Sequence, residues 1–92
     1  MTNNKNKTEF IVIIDNNKDG KVTNIRTQND VDGVGKQYIG DFENNKTHKG
    51  KDKGEVSSAL QASLLFKNAK IVDVGNPSEF QTKIVVEIQK SK

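Results

Sequence analysis

The sequence predicts an α+β domain: a mostly antiparallel sheet of four to five strands, in the order β-β-β-α-β-β, with one helix packed on one face. Two observations carry this. Seventeen Ile and Val residues are spread along the chain, whereas all three Leu (Leu60, Leu64, Leu65) and all three Ala (Ala59, Ala62, Ala69) fall within eleven consecutive positions. Branching at Cβ suits pleated strands, and Leu and Ala suit helices. Clusters of Asn, Asp, Gly and Ser separate the apolar runs, as turns between short elements require.

Taken in order, residues 1–7 hold no apolar residue after Met1 and are expected to form a disordered tail, leaving 8–92 as a single small domain. Residues 8–15 are apolar on both faces, Phe10, Val12 and Ile14 against Ile11 and Ile13, the pattern of a central strand. Asn16 to Gly20 supplies turn chemistry, and residues 21–27 complete a hairpin. Residues 28–35 read as a loop. Residues 36–43 alternate Tyr38, Gly40 and Phe42 against Gln37, Ile39 and Asp41 and are read as a third strand. Residues 44–54 hold no apolar side chain and are read as a long mobile loop. The helix follows at 55–68, with Leu60, Leu64 and Ala59 expected to meet Phe10, Val12 and Ile14, and with Asn68 at its C-terminal cap. A short strand at 71–74, a turn at 75–78 and a last strand at 80–89 complete the chain.

Composition excludes several functions. The chain has 92 residues and no cysteine, so disulfides, thiolate metal sites and cysteine nucleophiles are ruled out. The longest apolar run, Phe10 to Ile14, is far short of the ~20 residues of a membrane-spanning helix, and no signal-peptide pattern opens the sequence. A cytoplasmic protein with no membrane contact is expected. Fifteen basic residues against twelve acidic ones give a net charge of +3, but fourteen of the fifteen are Lys, and only Arg26 offers the planar fork that reads bases. Sequence-specific DNA recognition is thereby disfavoured. Non-specific attraction to a polyanion remains, with Lys46, His48, Lys49, Lys51 and Lys53 as the densest candidate.

Three motifs bear on chemistry. Asp15-Asn16-Asn17-Lys18-Asp19-Gly20 resembles the first half of an EF-hand or dockerin calcium loop, but the twelfth position, which should close the shell with a carboxylate, is Arg26. Asp32-Gly33-Val34-Gly35-Lys36-Gln37 is superficially similar to a phosphate-binding glycine loop. It has Asp30 where the first glycine belongs and Gln37 where magnesium needs a hydroxyl. The expected element order also resembles the start of the ribonuclease H-like fold. That resemblance implies a metal-dependent nuclease, with Asp15, Glu55 and Asp73 in places comparable to that family's metal-binding carboxylates. His48, the single histidine, has no cysteine or second imidazole with which to bind zinc.

No catalytic, cofactor or metal residues are assigned. One helix covers one sheet face, so the other face should be open, with Ile11, Ile13, Ile25, Ile39 and Val85 as candidate partner-binding residues. The expected function is that of a small non-catalytic protein acting by protein contact, an inhibitor or adaptor of the kind carried by phages or mobile elements. Its partner would be another protein or a second copy of itself. Non-specific nucleic-acid binding through the lysine-rich segment is the alternative, and the metal-dependent nuclease is the second alternative.

Overall fold

The computed structural model describes residues 7–44 and 48–89. The apolar opening forms β1 (Lys7–Asn16), beginning one residue inside the segment expected to be a tail. Asn17 then turns the chain: its side-chain carbonyl accepts from the backbone of Asp19 and Lys21, and Gly20 takes a φ of 75°. These local bonds close the hairpin with β2 (Val22–Gln28).

The third strand expected at 36–43 is a helix. A single 3-10 turn (Val31–Gly33) leads into α1 (Val34–Asn44), kinked at Ile39. Asp30 starts it, its carboxylate accepting from the backbone N–H groups of Gly35 and Lys36. Val34, Tyr38 and Ile39 recur at helical spacing, and all three pack on the core. That face is worth more than the two-residue alternation of the same stretch, because it covers Phe10. At Gly35 an added Cβ would lie 2.7 and 2.9 Å from ring atoms of Phe10, so only glycine allows α1 to come this close.

The expected mobile loop at 44–54 is also shorter. Residues 45–47 lie outside the described residues, while 48–52 are fastened to the start of β2. Val22 donates to the Lys51 carbonyl at 2.8 Å, Gly50 donates to the Val22 carbonyl at 2.7 Å, and Lys21 and Asp52 form an isolated antiparallel backbone bridge. Asp52 then caps α2 (Lys53–Phe66), its side chain accepting from Gly54 and Glu55. At the far end Asn68, with φ 68°, and Ala69 bond back to Leu65 and Leu64, so the predicted asparagine cap is present as a Schellman motif.

β3 (Lys70–Ser78) and β4 (Gln81–Gln89) form the second hairpin. β3 is longer than expected and runs through Gly75 and Pro77 by way of two irregularities in its pairing. The sheet has four strands in the order β2-β1-β4-β3, all neighbours antiparallel, and the chain order is β-β-α-α-β-β. The α+β class is therefore correct, and a fifth strand is not found among the described residues.

Phe10, Val12, Ile14, Val22, Ile25, Ile84, Val86 and Ile88 bring their side chains to one sheet face, where Ile39 of α1 and Val56, Leu60 and Leu64 of α2 meet them. Ala59, expected among the packing residues of the helix, is exposed, because the buried stripe runs through Val56, Ser57, Leu60 and Leu64 instead. Asn16 is buried beyond Ile14. Its amide donates to the carbonyls of Asn17 and Glu79, tying the two hairpin turns together at one end of the sheet.

Candidate functional site

The strand registers lay out the uncovered sheet face residue by residue. Across the sheet its rows read Glu9, Glu87, Lys70; then Gln28, Ile11, Val85, Asp73; then Arg26, Ile13, Lys83, Gly75; then Asn24, Asp15, Gln81. Three of the five expected partner-binding residues, Ile11, Ile13 and Val85, do share this face. The other two do not. Ile25 stands opposite Ile14 on the covered face, and Ile39 belongs to α1; both are buried in the core.

This face is also less open than the sequence suggested. Ile13 is only 3% exposed although no helix covers it. Its direct neighbours in register are Arg26 and Lys83, long side chains whose aliphatic stems shield an apolar neighbour while their charges stay in water. Arg26 is further held by Asp15, with Nε donating to one carboxylate oxygen at 2.9 Å and a terminal nitrogen donating to the other at 3.3 Å. That guanidinium keeps the Asp15 carboxyl below the usual aspartate range, against partial burial, with a weaker bond from Gln81 assisting. The residue at the twelfth position of the calcium-like segment thus occupies the carboxylate at its first position.

The carboxylates of the nuclease reading do not come together. Asp15 and Asp73 share the uncovered face, but Asp73 lies level with Ile11, four residues from Asp15 along β1 and two strands away. That is about 13 Å along the strands and about 10 Å across them. Glu55 opens α2, over the opposite face. Among the described residues no group of three His, Asp or Glu is placed to hold a metal ion. Because the expected third strand is α1, the order of three strands, a helix and a fourth strand on which the ribonuclease H resemblance rested is absent.

In the glycine-rich segment, the backbone N–H groups of Gly35 and Lys36 are taken by the Asp30 carboxylate. Of the lysine-rich segment, Lys49 and Lys51 are exposed, Lys53 and His48 are half-buried, and Lys46 lies outside the described residues. Their backbone, through residues 50–53, is bonded to the first hairpin.

The surface that departs most from a satisfied one is the end of the helix layer. α2 finishes with Leu65, 57% exposed, and Phe66, 88% exposed. The next residue, Lys67, donates its ammonium to the Tyr38 carbonyl at 2.9 Å, beside the kink in α1. Gln37, Tyr38 and Lys67 line a shallow notch of about 330 Å³ between the two helices. Tyr38 is fixed from below by Phe10, the ring centres 6.3 Å apart. An exposed aromatic beside a notch with a rigid tyrosine wall and an ammonium is a combination common at protein contacts. Sequence reasoning missed it because it placed only the core-facing residues of this helix, Leu60, Leu64 and Ala59, and gave Leu65 and Phe66 no role at the surface. The signal was available, since at 100° per residue both fall outside the arc set by Val56, Leu60 and Leu64.

No family model matches this chain, and no curated protein or solved structure matches it.

Proposed function

We propose that this chain is a small non-catalytic binding protein, an inhibitor or adaptor that works by protein contact through the end of its helix layer. The observation that supports this reading is Phe66, 88% exposed on the helix that supplies the core. Burying a side chain of this size is worth about 1.5–3 kcal/mol, which the monomer forgoes. Leu65 beside it, and the notch of Gln37, Tyr38 and Lys67, extend the surface. Lys67 borders it with positive charge. The partner is accordingly a protein offering an apolar pocket with an acidic rim.

The test is affinity capture from the native host with the wild-type chain and with Phe66→Asp, followed by calorimetry on the captured protein. The substituted side chain is exposed, so the melting temperature should stay unchanged while affinity falls at least tenfold, about 1.4 kcal/mol. Wild-type affinity in a folded Phe66→Asp variant would falsify the reading.

A further inference from the structure

The two edges of the sheet differ. β2 is engaged at its start by residues 50–52 through Val22 and Lys21, whereas β3 has no neighbour beyond it among the described residues. β3 also displays Val72, 47% exposed, and Val74, 43% exposed. Val72 is the extra residue where the pairing slips between Ile71 and Asp73, and Val74 stands opposite Ile84, on the side that α2 covers.

Lys70 reaches Glu87 of its own chain only at 4.0 Å and keeps 75% of its side chain exposed, and Asp73 is exposed as well, so both charges are presented at this edge. Because of the slip at Val72, Lys70 and Asp73 stand opposite Glu87 and Val85, two residues apart on β4, and so share the uncovered face. A two-fold axis through the bulge at Ile71 and Val72, perpendicular to the sheet, sets the two bulges against each other and places Lys70 of each copy opposite Asp73 of the other on the uncovered face. Cross-strand and diagonal neighbours lie about 5 to 8 Å apart, within reach of a lysine. Opposite charges on one face, with Val72 of each copy at the axis, make this edge self-complementary.

We propose that the β3 edge pairs with the β3 edge of a second copy, giving an antiparallel two-fold dimer with an eight-stranded sheet. The proposal rests on the protein-contact reading but uses a different surface from the Phe66 end. A two-fold contact closes on itself, and with the start of β2 engaged the assembly stops at two. The second irregularity and Pro77 end the usable edge at about Gly75, so the interface is short and the dimer weak, in the class of transient contacts.

Sedimentation velocity from about 5 μM to about 500 μM tests it, with a rise from monomer to dimer expected across that range. Val72→Lys places a charge against its own copy, and should leave the melting temperature unchanged and the chain monomeric throughout. Lys70→Glu and Asp73→Lys should each be monomeric alone, and their equimolar mixture should dimerise, because opposite charges then face each other again. A chain that stays monomeric at the highest concentration overturns the proposal, as does a dimer that survives Val72→Lys. A dimer lost in Phe66→Asp but kept in Val72→Lys overturns it too, and assigns self-contact to the helix end. Host-partner binding that persists in Val72→Lys and fails in Phe66→Asp leaves the proposed function standing whichever way the dimer falls.

Discussion

The sequence offers Asp15 as a ligand, for calcium in one reading and for magnesium in another, and the structure gives it a different task. It sits at the end of β1 facing Arg26 across the hairpin, with both carboxylate oxygens accepting from the guanidinium. A carboxyl whose pKa is lowered by folding adds stability above its unfolded value, and that stability is lost as the pH falls through the lower folded value. The Arg26 side chain is 38% exposed, so water screens the pair and the contribution is small, about 0.5 kcal/mol. Asp15→Asn should therefore lower stability by about that amount at neutral pH, in urea titrations read by circular dichroism. The gap should narrow below about pH 4 and close once the pH is low enough to protonate the wild-type carboxyl in the folded state as well. A gap of constant size from neutral to acid pH would show that the asparagine acts through packing and not through charge.

At the scale of elements, what was legible followed from Cβ branching and from caps. β1, β2, β4 and the Leu/Ala-rich helix stand where the sequence puts them to within a few residues, and Asn68 ends the helix as expected. α1 was misread for a physical reason. Residues 34–44 satisfy two periods at once, Tyr38 and Gly40 at strand spacing and Val34, Tyr38 and Ile39 at helical spacing. Gly35 and Gly40 lower intrinsic helix propensity. Tertiary contact decides between them: the buried Phe10 ring needs a cover, and Gly35 is the helix position that lets the backbone reach it. Gly35→Ala should thus destabilise the fold by about 1–3 kcal/mol, since its methyl would clash with a ring that is fully buried and cannot yield. Gly40→Ala, whose Cβ meets nothing within 4 Å, should be neutral or stabilising by up to about 1 kcal/mol, as the helix gains an alanine. Chemical denaturation of the two variants side by side separates these effects. Equal stability would mean that α1 is not held against Phe10.

For the whole molecule, the sequence's positive charge raised a polyanion alternative that the fold sharpens. The candidate site was only partly legible, because exposure depends on which faces the topology pairs. Ile25 and Ile39 are interior, and Phe66, on the helix that builds the core, is not. The lysine-rich segment was legible as charge but not as structure, since nothing in its composition announces that residues 50–53 dock on the first hairpin through their backbone. That docking makes the side chains separable from the fold. Replacing Lys46, Lys49, Lys51 and Lys53 by Gln removes four of the fifteen basic residues while leaving those backbone bonds in place. The variant should melt with the wild type, and whatever attraction the wild type has for duplex DNA should be lost. That attraction should already fade between about 50 and 200 mM salt, as phosphate contacts do when they carry no base recognition. Affinity for a captured protein partner should stay within about threefold, under 1 kcal/mol, because the substituted segment belongs to the β2 edge and Phe66 to the end of α2. Loss of the partner in the quadruple variant, alongside full affinity in Phe66→Asp, would move the functional surface to the lysines and replace the protein-contact reading with the polyanion one.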